Sequence, residues 1–70
     1  MKKVDIKEQF GAKVKGLRKL NMITQADLAA IVDVDIRTIR RIESGTYNPT
    51  LEIIGALAKA FKISISDLFK

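Results

Sequence analysis

Seventy residues make one domain at most, and a chain of this size buries only about 60% of the surface its unfolded form exposes. It has no cysteine and no histidine, which excludes disulfides, the usual zinc ligands and the usual general base near neutral pH. A hydrophobic fraction of 47% excludes a disordered tail, and a net charge of +5 with a pI near 9.8 suits a polyanionic partner such as nucleic acid.

No apolar run approaches the ~20 residues of a membrane span. The start "MKK" resembles that of a signal peptide, but the polar "DIKEQ" follows where an apolar stretch is needed. A cytoplasmic protein with no membrane partner is expected. The cations are unevenly spread. Residues 1–20 hold seven of them against two anions, whereas residues 21–34 carry a net −2.

The apolar residues recur at helical spacing, and stop signals cut them into short helices. Ile6, Phe10, Val14 and Leu17 form one stripe of a first helix, about Asp5 to Leu20. Asp5 near its start complements the helix dipole, and Asn21 is a candidate left-handed stop. Lys13, Lys15 and Lys19 fit a solvated face. The second helix opens at "TQADLAAIV". Thr24 is its N-cap and Asp27, three residues on, completes a capping-box-like exchange. Leu28, Ile31 and Val32 are expected to face inward. Ala26, Ala29 and Ala30 leave room for another helix to approach. Asp33 tolerates a positive φ, and Asp35 caps a third helix, Ile36 to Ser44, stopped by Gly45.

"TYNP" reads as a loop, with Tyr47 packing in it. Thr50 caps a fourth helix whose buried side holds Leu51, Ile54, Leu57, Ala58 and Phe61. Ser64 and Asp67 repeat the cap spacing of Thr24 and Asp27. They are expected to open a short fifth helix carrying Ile65, Leu68 and Phe69, the last in the core or in a dimer contact. The fold class is therefore all-α: five helices joined by short turns.

The third helix concentrates charge. At 100° per residue, Ile39 and Ile42 lie about 60° apart and define its inner face. Arg37, Arg40 and Arg41 leave on the opposite side, across a fan of roughly 100°, while Glu43 turns back toward the protein. Like charges at i, i+3 and i+4 cost a few tenths of a kcal/mol per pair in an isolated helix, so a solvent-facing helix does better to alternate signs. From Thr24 to Gly45 the layout is helix, short turn, helix, with a cationic outer face on the second. This is the arrangement of a helix-turn-helix, whose second helix enters the major groove.

At this point "GLRKLNMITQADLAAIVDVDIRTIRRIESGTYNPTLEIIGALAKAFKISISDLF" resembles the lambda-repressor-like, XRE-type helix-turn-helix family, from about Phe10 to Phe69. The elements that carry the likeness are "TQADLA", "TIRRIESG", "NPTLE" and "ISISDLF", in order and correctly spaced. The resemblance implies a single DNA-binding domain, residues 1–70, with the helix-turn-helix proper at about 24–45. It also implies roles. Gln25 contacts phosphate and buttresses the third helix, and Thr24 offers its hydroxyl or N–H to the same strand. Ile36, Arg37 and Arg41 occupy base-reading positions, and Arg40 is a phosphate or peripheral base contact. Ser44, Thr46 and Asn48 meet a second phosphate stretch. Arg18 and Glu43 match an ion pair that bridges the first and third helices. Three positions depart from the family pattern. Ile36 stands where a polar residue is common, and it suits a thymine methyl. Asp33 and Met22 stand where glycines are usual.

The expected function is sequence-specific binding of double-stranded DNA by a repressor-type homodimer that reads a palindromic operator. The alternative is an antitoxin-like interaction module that holds a toxin or other regulatory protein. After the fifth helix no room is expected for a ligand-sensing domain. An enzyme is not expected, nor any metal or cofactor. Asp27, Asp33, Asp35, Glu43 and Glu52 read as caps and an ion pair, and the serines lack a candidate base.

Overall fold

The computed structural model describes residues 5–70. The basic start "MKK", and with it the first four residues of the 1–70 domain, lies outside them. The chain forms helices α1 (Ile6–Leu20), α2 (Gln25–Val32), α3 (Ile36–Ser44) and α4 (Leu51–Phe61). A single 3-10 turn, Ser66–Phe69, follows. The described residues are thus all-α, with no strand, but they contain four α-helices where five were expected. The last segment is four residues long, too short for a propagating α-helix. Asp67 N–H does reach Ser64 Oγ at 3.2 Å, so the cap forms on a tighter turn.

Every α-helix begins and ends in the same way. At the start a side-chain oxygen accepts from the first turn: Asp5 from Lys7 N–H, Thr24 from Asp27, Asp35 from Arg37 and Thr50 from Ile53. Thr24 and Asp27 form a full reciprocal box at 2.9 and 3.0 Å. At the end a left-handed residue reverses the chain, and the next N–H returns to a carbonyl five residues back. Met22, Asp33, Gly45 and Lys62 take the left-handed role with φ of 57–78°. Ile23, Val34, Thr46 and Ile63 donate the closing bonds at 2.9–3.2 Å. Three of these closing residues, Ile23, Val34 and Ile63, pack on the core and so staple each turn to it. Asn21 is not the left-handed stop of α1. It keeps a φ of −87°, and its side-chain amide returns instead to the Leu17 carbonyl at 2.7 Å.

The core is one cluster centred on Phe10, Val14, Leu28, Ile39, Ile42, Leu57 and Leu68. α1 packs against α3 and the 3-10 turn, and α2 packs against α3 and α4. Phe69 stacks on Phe10 with ring centroids 5.0 Å apart. Three expected core residues face solvent instead: Ile6 is 63% exposed, Ile31 58% and Leu51 81%. In α2 the buried arc runs through Leu28, Val32 and Ala29, so the small alanine, not Ile31, takes the seam. Leu51 and Ile6 each occupy the first position of their helix.

Gly11 fixes how closely α1 and α3 approach. A Cβ there would fall on the Ile42 carbonyl oxygen, itself main chain, and 3.1 Å from that of Glu43. Gly45 needs its glycine twice, for φ +78° and because a Cβ would lie 2.9 Å from Glu8 Cα. α1 thus runs against the C-terminal end of α3 with no side chain between. Gly11→Ala is expected to cost about 1–3 kcal/mol, as overpacking does. Gly16→Ala, on the same helix with nothing within 4 Å, is expected to gain about 0.5–1 kcal/mol. Thermal unfolding of the two variants checks the opposite signs.

Candidate nucleic-acid interface

The inner side of α3 is anchored by one carboxylate. Glu43 points back beneath the helix, where Arg18 Nε and Nη2 donate to its two oxygens at 2.7 and 3.1 Å. Gln25 Nε2 donates to Oε1 at 3.1 Å. The third Arg18 nitrogen, Nη1, donates to the Ile23 carbonyl at 2.9 Å. One acid therefore ties together the end of α1, the turn after it, the first residue of α2 and the body of α3. The side chains of Arg18 and Glu43 are only 11% and 4% exposed. The Glu43 hydrogen bonds hold the Arg18 guanidinium above its ordinary pKa. Among the described residues no buried side-chain nitrogen or oxygen lacks a partner, so the network is closed.

The outer side is open. Arg37, Arg40 and Arg41 are exposed, while Ile39 and Ile42 on the opposite side are fully buried. Arg37, Arg41, Thr38 and Asp35 line a shallow polar hollow along the first turns of α3. Ile36 at the helix start is half-buried and packs on the core, so it presents only part of its side chain outward. At the far end, Ser44 Oγ and Thr46 Oγ1 lie 2.9 Å apart, and both reach the Arg41 carbonyl. Thr24 sits exposed at the cap of α2, its hydroxyl already accepting from Asp27 N–H. Asn48 is the outlier of the expected set. It borders a second, apolar hollow with Ile6, Lys7, Phe10, Pro49, Ile54 and Phe69.

One feature of the outer face escaped the sequence. Asp35 does more than cap α3. Its Oδ1 accepts both Arg37 N–H at 2.8 Å and Arg37 Nε at 3.1 Å, and its Oδ2 accepts Arg37 Nη2 at 3.1 Å. The signal was a capping acid two residues ahead of an arginine. Helical spacing does not reveal it, because the acid lies outside the helix. The arginine holds the Asp35 carboxyl down at about 2 and is itself raised in turn.

Among the described residues no group of acidic side chains is arranged to hold a metal ion, and no helix is long and apolar enough to cross a membrane.

Glu43→Ala strands a guanidinium in a nearly dry seam and is expected to cost about 3 kcal/mol or more, against less for Glu43→Gln, which keeps one of the two acceptor oxygens. Urea unfolding checks the order. At Asp35 the folded pKa lies below the unfolded value of ~3.9. Its contribution to stability is therefore present above that value and is lost as pH falls toward 2. A carboxyl NMR titration should place the Asp35 midpoint near 2. Arg37→Ala should move it back up, though not fully, since the backbone N–H of residue 37 still donates.

The geometry finds counterparts among known proteins. The helix-turn-helix family model matches residues 14–68. An uncharacterized HTH-type transcriptional regulator of Methanocaldococcus jannaschii is 42% identical over 57 residues, covering 81% of this chain and 86% of that protein. The restriction-modification controller protein C.AhdI from Aeromonas hydrophila superposes with a TM-score of 0.86 at 30% identity, over 90% of this chain and 96% of that one. Antitoxin PezA of Streptococcus pneumoniae is 33% identical over 59 residues, and the match spans 84% of this chain but only 37% of the antitoxin. None of these relatives bears the name of an enzyme. With most of its length matched and its fold shared, the chain belongs to the XRE-type helix-turn-helix family of DNA-binding transcriptional regulators.

Proposed function

We propose that the chain forms one domain over residues 1–70 that binds double-stranded DNA by sequence, as a homodimer on a palindromic operator, and represses transcription from it. The observation that carries this reading is the outer face of α3. Three exposed arginines stand on a short helix whose inner face is locked to the rest of the protein. In the major groove an arginine forks onto guanine O6 and N7, and each good bidentate contact discriminates by about 1–3 kcal/mol. Arg37 and Arg41 flank the polar hollow and are assigned to base reading, with Ile36 placed against a thymine methyl. Arg40, further round the helix, is assigned to phosphate. Thr24 and Gln25 at the start of α2, and Ser44, Thr46 and Asn48 beyond α3, are assigned to the backbone on either side.

A single helix reads about four to five base pairs, too few to single out one site in a genome, whereas two copies about one helical turn apart supply the rest. The proposed working location is the cytoplasm, at the nucleoid. The antitoxin relative supports a second reading in place of the first: an interaction module whose main task is to hold a partner protein such as a toxin.

Selection of bound duplexes from a random pool at ~150 mM salt is expected to return a palindromic motif with guanines in its half-sites. Arg37→Ala and Arg41→Ala are each expected to relax one position by about 1–3 kcal/mol. Arg40→Ala should weaken all sequences about equally and lower the salt slope by about one. An unenriched pool, together with a salt-insensitive complex with a protein, is the outcome that replaces DNA reading by the partner-holding role.

A further inference from the structure

The exposed pair at the start of α3 lacks an adequate explanation as a stabilising contact. The Asp35 and Arg37 side chains are 50% and 76% exposed, and exposed ion pairs contribute little to stability. Capping does not require a carboxylate here either, since threonine caps both α2 and α4. A negative charge beside the three arginines also works against phosphate binding. What the carboxylate does provide is orientation. Its capping bond to the Arg37 N–H fixes the carboxylate, and the fixed carboxylate then engages Nε and Nη2 of the same residue. This occupies the side edge of the guanidinium. The end edge, formed by Nη1 and the second Nη2 hydrogen, stays free and presents two parallel donors, the pattern that guanine O6 and N7 accept. An arginine held this way has already lost most of the rotamer freedom that docking would otherwise remove.

We propose that Asp35 is a positioning residue for specificity: it caps α3 and, through the same carboxylate, aims the end edge of Arg37 at a guanine. The proposal rests on the DNA-reading function above and deepens it. It treats the acid as a determinant of which base is chosen, at some expense to overall affinity.

The test compares base preferences of the unaltered chain, Asp35→Ser, Asp35→Asn, Arg37→Ala and the double variant Asp35→Ser/Arg37→Ala, all on the duplex that the unaltered chain selects. Serine and asparagine both cap helices well, so both variants are expected to melt close to the parent. At the position that Arg37→Ala renders indifferent, Asp35→Ser should lower the preference for guanine by roughly five- to tenfold, within the range one bidentate contact supplies. Its binding to random DNA should hold or rise, because an anion has been removed. In the Arg37→Ala background the serine should change the base preference no further. Asparagine, which keeps an acceptor without the charge, should fall between. If both Asp35 variants keep the full guanine preference, or weaken every position alike, the proposal is overturned while DNA reading stands. If the unaltered chain selects no motif at all, DNA reading and this proposal fail together.

Discussion

The molecule depends on the clasp at Glu43. An isolated nine-residue helix is marginal in water, and α3 gains little from its three outward arginines, since the Asp35–Arg37 pair is exposed. Its position comes from below. Two isoleucines bury into the core, Gly11 lets the α1 backbone reach its last turn, and Glu43 gathers donors from α1 and α2. A buried acid of this kind is costly to dehydrate, and only its full set of partners offsets that cost. The pair is therefore better understood as fixing the angle of α3 than as a large source of stability. Loosening it would let the helix, and with it the arginine tips, shift relative to the rest of the protein.

Much of this was legible in the sequence, for reasons that lie in short-range chemistry. Thr24 with Asp27, Asp35 and Thr50 announce helix starts because their side chains compete for the orphan N–H groups of a first turn, and that competition is local. Gly45 announces an end for an equally local reason: with no Cβ it adopts the left-handed φ of the reversal without strain. The outward fan of arginines follows from Ile39 and Ile42 alone, since nine residues of helix leave little freedom once the inner face is set.

What was not legible depended on neighbours. The stripe in α2 gives a direction but no width, so Ile31 looked equivalent to Leu28, whereas the buried arc turns to the Ala29 side. Asn21 was the better left-handed candidate by residue type, yet Met22 adopts that conformation, because the chain must deliver Ile23 to the core one residue later. The final segment carries the hydrogen bond between Ser64 and Asp67, yet it closes as one tight 3-10 turn. Within the proposed interface, the fork between Asp35 and Arg37 was hidden because the acid belongs to the loop and the arginine to the helix, and a helical projection contains only the second.

The repeated closing turn has a consequence for how such a chain can change over time. Four helices end on the same backbone path, yet methionine, aspartate, glycine and lysine all serve at its left-handed position. The path is held by the closing bond and, at three corners, by the stapled residue behind it, so several unbranched residue types can serve at the reversal at roughly 1–2 kcal/mol of strain where it is not glycine. Gly45 is the exception, since the α1 backbone leaves no room for a side chain there. Lineages carrying this architecture can therefore drift at three of the four corners without disturbing the scaffold. The fourth corner, beneath the end of α3, should stay fixed even while the outward residues of that helix are exchanged to suit new targets.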